Sequence, residues 1–206
     1  MLAILDYGMA NLRSVQKAFE RHGHAARIIS TPEQVKAADK LVVPGVGAFQ
    51  DAIALLDRTG LSDAIREHIG TGKPMLGICL GLQLLMDTGY EDGVHKGLGI
   101  IAGECVRFTV DGAPHHLKVP HMGWNSLTYS SRRAPIFKDL ATVPYVYFVH
   151  SYHVVPRDKE IIAATTEYGV PFVAAIWKDN IMATQFHPEK SQEVGGMILK
   201  NFADMT

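Results

Sequence analysis

Pro74-Met75-Leu76-Gly77-Ile78-Cys79-Leu80-Gly81-Leu82-Gln83 is the stretch whose reading decides the fold of this chain. Met75 to Ile78 is apolar or small throughout and bounded by a proline, as a short buried strand would be. The residues after it predict a helix over Leu80 to Met86. Cys79 then stands on a sharp strand-to-helix turn, where hydrolases with a Gly-x-Ser-x-Gly elbow hold their serine. Glycines at 77 and 81 fit, because the turn is tight and backbone must come close. A free thiol, with a pKa of about 8.5, is only a few per cent thiolate at neutral pH. Unpaired N–H groups at a helix start and a nearby imidazolium favour the anion. The Leu80 N–H is placed to meet the negative oxygen of a tetrahedral intermediate, a contact worth roughly 10² to 10³ in rate. The competing reading is a buried core cysteine, and the rest of the chain has to choose.

The choice turns on Gln185-Phe186-His187-Pro188-Glu189. Val170 to Val173 and Ile181 to Phe186 read as two strands joined around Lys178-Asp179-Asn180. His187 follows the second strand, and Pro188 bars a helix. In extended backbone, residues two apart share a face, so Glu189 is expected to hold one ring nitrogen of His187 while the other faces the thiol. Cys79, His187 and Glu189 are therefore the candidate catalytic residues: nucleophile, base and orienting carboxylate. His22, His24, His68, His95, His115 and His116 show no such pairing. His115, His116 and His121 raise the idea of a metal site, but two cysteines and no ligand spacing of the usual kind argue against any metal.

Lys40-Leu41-Val42-Val43-Pro44-Gly45-Val46-Gly47-Ala48-Phe49-Gln50 is a strand, a glycine turn and a helix. It resembles a dinucleotide fingerprint, but Gln50 replaces the third glycine and no acidic strand end follows about 20 residues on. In the better reading, the Pro44–Gly47 turn brings backbone N–H groups to the sheet edge that holds Cys79, as a second oxyanion donor.

Leu2 to Asp6, Ala26 to Ile29, Leu41 to Val43 and Met75 to Ile78 alternate with helical spacing over Asn11 to His22, Pro32 to Ala38, Ala48 to Leu56 and Leu61 to Ile69. That alternation predicts an α/β fold with a doubly wound, mostly parallel sheet flanked by helices. Function then gathers at the carboxyl ends of the strands, where Cys79 and the Pro44–Gly47 turn lie. Leu98 to Tyr152 is expected to be a more antiparallel, strand-rich stretch, including a strand over Glu104 to Val110 that buries Cys105. Ser191 to Asp204 reads as a closing helix with Ser191 at its N-cap. A chain of 206 residues is expected to form one domain. A net charge of −1 gives no footprint for nucleic acid or anionic membrane. Two cysteines make no disulfide framework, no apolar run nears the roughly 18 residues of a membrane span, and the N-terminus shows no secretory signal. A cytoplasmic protein is expected.

With those residues in place, the chain resembles the class I (triad-type) glutamine amidotransferases. Gly77-Ile78-Cys79-Leu80-Gly81-Leu82-Gln83, Pro44-Gly45-Val46-Gly47 and His187-Pro188-Glu189 carry the resemblance. It is most similar to the glutaminase subunits of imidazole glycerol phosphate synthase, through Asp6-Tyr7-Gly8-Met9-Ala10-Asn11-Leu12, Pro120-His121-Met122-Gly123-Trp124-Asn125, Phe148-Val149-His150-Ser151-Tyr152 and His187-Pro188-Glu189-Lys190-Ser191. The resemblance implies hydrolysis of glutamine through a thioester on Cys79, with oxyanion donors from Leu80 and the Val46–Gly47 peptide. It implies that Gln83, Ser151 and Tyr152 hold the amino-acid part of glutamine, and that no cofactor is needed. It also implies a cyclase subunit as partner, met by Asn11, Met122, Trp124 and Lys190, which receives the ammonia. Three alternatives stand beside it: a hydrolase that releases product to water, the glutaminase of a different synthase, and a regulatory subunit with a dead site.

Overall fold

A computed structural model describes residues 1–109 and 117–205. Val110, His115 and His116 lie outside the described residues. The first half alternates as the sequence predicts: β1 (Leu2–Leu5), α1 (Leu12–Arg21), β2 (Ala26–Ile29), α2 (Pro32–Ala37), β3 (Lys40–Gly45), α3 (Phe49–Arg58), α4 (Leu61–Gly70), β4 (Met75–Cys79) and α5 (Leu80–Gln83). The second half holds β5 (Met86–Gly89), β6 (His95–Lys96), β7 (Ile101–Arg107), β8 (His121–Ser126), β9 (Thr128–Tyr129), β10 (Tyr145–His150), β11 (Tyr152–Pro156), β12 (Ile162–Tyr168), β13 (Val170–Lys178) and β14 (Ile181–Thr184). The helix α6 (Gln192–Asp204) closes the described chain.

The main sheet has eight strands in the order β2-β1-β3-β4-β14-β13-β12-β9. From β2 to β14 every pairing is parallel, and beyond β14 every pairing is antiparallel. Strand pleating sorts the side chains into two cores. Ala3, Leu5, Leu41, Val43, Ile181 and Ala183 face α2, α3 and α4, while Ile4, Val42, Leu76 and Met182 face α1 and α6. Helices therefore cover both faces, which is why these strands read as continuous apolar runs. Local signals agree at α2, where Thr31 and Gln34 form a reciprocal capping box around Pro32.

Two smaller sheets complete the second half. One has the order β11-β7-β5-β6, and β8 and β10 form an antiparallel ribbon. The expected antiparallel character of this region holds for β7–β11 and β8–β10, whereas β5 and β7 run parallel.

Two local expectations fail for stated reasons. The helix after Cys79 ends at Gln83 instead of Met86. Residues 97–101 capture its carbonyls: Leu98 N–H donates to Leu84 O at 2.8 Å, and Ile100 and Ile101 both donate to Leu85 O. Met86 then begins a strand. Ser191 does occupy the N-cap position of α6, but its hydroxyl does not cap it. That hydroxyl donates to His187 O at 2.7 Å and accepts from Tyr147 N–H at 3.0 Å.

Candidate active site

Strand register explains how distant residues meet. On one side of β4, Gly45 pairs with Cys79; on the other, Thr184 pairs with Ile78, so Gln185 follows beside Cys79. Cys79 has φ 53° and ψ −105°, an uncommon conformation for a residue with a side chain. The glycine next along makes the turn possible: a Cβ on Gly81 would lie 1.9 Å from the Val43 carbonyl oxygen. Cys79 is 6% exposed and lines a cleft of about 600 Å³ at the carboxyl edge of the parallel strands.

His187 lines the same cleft. Its Nδ1 is 2.8 Å from Glu189 Oε1, and both side chains are 3% exposed. The two meet across a short 3₁₀ turn over Pro188–Lys190, not along the extended backbone expected from the sequence. With Nδ1 committed to a carboxylate, Nε2 is left without a partner in the chain. Burial disfavours a charged His187, but negative charge at Cys79 and the Glu189 carboxylate outweigh it and push its pKa up to about 10. This arrangement favours a protonated His187 ring. The His187 backbone is also anchored, its N–H donating to Tyr147 O at 3.0 Å.

The remaining sequence candidates are distributed as follows. Leu80, Val46 and Gly47 all line the cleft, but the Val46 N–H donates to Met9 O at 2.9 Å and is not free for an oxyanion. Gly47 has φ +104°, which only a glycine adopts readily. Gln83, Ser151 and Tyr152 also reach the cleft. Gln83 is 6% exposed, and its Nε2 is spent on Tyr152 O at 3.0 Å and Gln185 Oε1 at 3.3 Å. Only its Oε1 remains for a ligand. Asn11, Met122, Trp124 and Lys190 are all exposed. Met122 is 62% and Trp124 46% exposed, and Trp124 rests edge-on against Tyr147.

His121 lies on β8. It is 3% exposed, its two ring nitrogens face His150 and Asn125, and no three-ligand cluster exists among the described residues. Cys105 is buried as expected, and burial pushes its thiol far up.

Two residues of the site were not legible as such in the sequence. Glu91 lines the cleft, and its Oε2 accepts from Phe49 N–H at 2.7 Å. It thereby caps α3, whose own N-cap residue, Ala48, has no side-chain acceptor. Gln185 is fully buried, with Nε2 at 3.7 Å from Cys79 Sγ. Glu91 gave no local signal, since its partner lies 42 positions earlier. Gln185 was visible only as part of the motif around His187.

Residues 3–205 match the family described as glutamine amidotransferase class-I. An imidazole glycerol phosphate synthase subunit HisH from Syntrophotalea carbinolica is 56% identical over 207 residues, covering 100% of both chains. The chain belongs to the class-I glutamine amidotransferases, among the HisH subunits of imidazole glycerol phosphate synthase. The HisH subunit of Geobacter sulfurreducens is 52% identical, covering 99% of this chain and 98% of its own. Among solved structures, a glutamine amidotransferase superposes with a TM-score of 0.73 at 18% identity, covering 100% of both chains. A chain of PurLQS from Thermotoga maritima gives the same TM-score of 0.73 at 16% identity, covering 98% of this chain and 94% of that one. Those two likenesses speak to the fold, which in this HisH-family chain is the class-I α/β sheet. No described helix is long and apolar enough to cross a membrane.

Proposed function

We propose that residues 1–206 act as one glutaminase domain that hydrolyses L-glutamine to glutamate and ammonia through Cys79, His187 and Glu189. The observation that carries this reading is His187 held by Glu189 at 2.8 Å with its other nitrogen unpartnered beside a cysteine on a strained strand-to-helix turn. The Cys79 thiolate attacks the side-chain amide carbon, and the electron pair of the carbonyl moves to oxygen. Leu80 N–H stabilises that oxygen. The His187 imidazolium gives its proton to the departing nitrogen, leaving a thioester and free ammonia. His187, now neutral, takes a proton from water as the hydroxide adds, and collapse of the second intermediate releases glutamate and the thiolate. Glu189 keeps the ring oriented in both steps. Glu91 and Gln83 Oε1 suit the ammonium of the substrate, and Ser151 and Tyr152 its carboxylate. No cofactor enters the chemistry.

The ammonia passes to a cyclase subunit that makes imidazole glycerol phosphate and aminoimidazole carboxamide ribonucleotide in histidine biosynthesis, in the cytoplasm. Asn11, Met122, Trp124 and Lys190 form the face that meets it, and an exposed aromatic and a flexible methionine suit an interface core. The bond from Val46 N–H to Met9 O leaves the N–H of the Val46–Gly47 peptide, which belongs to Gly47, as the second donor. Gly47, at φ +104°, lets that peptide turn, and docking of the cyclase with its nucleotide fixes its N–H toward the oxyanion. Co-purification with the cyclase and a glutamine-dependent synthesis assay test the reading. The isolated chain is expected to hydrolyse glutamine poorly and to be stimulated by the loaded partner. Fast hydrolysis by the chain alone, unchanged by the partner, would end the gating argument.

A further inference from the structure

The proposed chemistry does not use a pair of histidines at the cleft wall, of which His150 lines the cleft. His121 on β8 and His150 on β10 sit opposite each other across the ribbon, 3% and 6% exposed. Aromatic rings enclose them: His121 stacks on Tyr168 at 4.1 Å and on Phe148 at 4.8 Å, and Phe108 and Phe172 pack against both. Burial disfavours the charged imidazole, lowering the pKa of His150 to about 3 and that of His121 to about 4. Both rings are neutral at neutral pH.

Their partners then dictate the tautomers. His150 Nδ1 is 2.8 Å from the Tyr152 carbonyl, which can only accept, so Nδ1 carries the hydrogen and Nε2 the lone pair. His121 Nδ1 lies 3.2 Å from that Nε2 and must donate to it. His121 Nε2 is left as an acceptor, and Asn125 Nδ2 at 3.4 Å supplies the hydrogen. Asn125 is itself fixed, donating to Glu167 O at 2.9 Å and accepting from Ser126 N–H at 2.8 Å. Each donor in the series points toward the Tyr152 carbonyl. That carbonyl also receives Gln83 Nε2, Gln83 reaches Gln185, and Gln185 reaches the sulfur of Cys79. One unbroken series thus joins the nucleophile to β8, the strand that exposes Met122 and Trp124.

We propose that His121 and His150 are positioning residues of the glutamine site, whose directional hydrogen bonds orient the Tyr152 carbonyl and, through it, the Gln83 and Gln185 carboxamides beside Cys79. The proposal rests on the glutaminase reading above. Packing alone would be satisfied by a phenylalanine in place of either ring; orientation requires the ring nitrogens. Without its donor, the Tyr152 carbonyl keeps only Gln83, whose one other side-chain hydrogen bond is the longer contact to Gln185 Oε1 at 3.3 Å.

The test uses the complex with the cyclase. His150→Phe keeps the ring and deletes both hydrogen bonds, whereas His150→Asn restores an amide donor near the place of Nδ1. In His150→Phe the KM for glutamine is expected to rise about tenfold, the scale of one net hydrogen bond, with kcat within about threefold. Synthesis from free ammonia should be unchanged, and His150→Asn should recover most of the KM. An unaltered KM in His150→Phe, or equal loss of glutamine- and ammonia-dependent synthesis, overturns the proposal. If His150→Phe does not fold, nitrogen-15 correlation spectra of the wild-type complex decide. Both rings must appear as neutral Nδ1–H tautomers, and an Nε2–H or protonated ring at neutral pH overturns it. A wild-type complex that uses ammonia but never glutamine would instead sink the glutaminase reading, and the proposal with it.

Discussion

Acidification should cost this fold stability through His150 in particular. An unfolded histidine titrates near 6.5; in the fold, burial holds His150 down at about 3. His121, His153 and His187 face it, and positive charge on any of them pushes it further down. The unfolded chain therefore binds a proton that the folded chain refuses. Stability is fully present above the unfolded pKa and falls as the pH drops below it. The loss is about 1.4 kcal/mol for each pH unit below roughly 6.5, until the folded pKa is approached. His121 adds in the same direction. His187 does not confuse the window: its pKa is raised, so its contribution is complete below about 6.5 and is lost only as the pH climbs through about 10. Urea melts of the wild type and His150→Phe at about pH 5.5 and about pH 4.5 isolate the term. Between them the wild type should lose about 1.4 kcal/mol more than the variant. Parallel losses in the two proteins, or an NMR titration of the His150 ring with a midpoint near 6, would refute the reasoning.

Three further outcomes are expected. Cys79→Ala should abolish glutamine-dependent synthesis by the complex while ammonia-dependent synthesis survives; loss of both would make Cys79 structural. Trp124→Ala should weaken cyclase binding in a titration yet leave the thermal melt within a degree or two, since surface changes of this kind typically cost under about 0.5 kcal/mol. Gly81→Ala should destabilise by roughly 1 to 3 kcal/mol or more and remove glutaminase activity, because its Cβ would meet the Val43 carbonyl oxygen at 1.9 Å with backbone on both sides. A denaturant midpoint and a stimulated glutaminase assay on the same preparation check both halves.

The parallel half of the fold was legible because its signals are local. Apolar runs at Leu2–Leu5 and Met75–Cys79 are buried on both faces and need no distant partner to be recognised. The helices between the strands were equally plain from their spacing. The helix after Cys79 was overread because Leu82, Leu84 and Leu85 have helical spacing, while the groups that unwind it come from residues 97–101. Ser191 looked like a cap because serine commonly caps; its hydroxyl instead ties His187 to Tyr147, a pairing that spans 44 positions.

The chain's residue types determined the chemistry: a cysteine between glycines after a strand, and a histidine two residues before a glutamate. These are covalent facts, unchanged by folding. Which of ten histidines would be charged, and which neutral, was decided only in three dimensions. His187 meets a carboxylate and a sulfur, whereas His150 meets aromatic rings and a carbonyl, and the energy of an imidazolium depends on those neighbours. The same dependence hides the Val46 N–H behind Met9 and places Gln185 beside the nucleophile. Long-range register sets such contacts, and no short stretch of chain contains it.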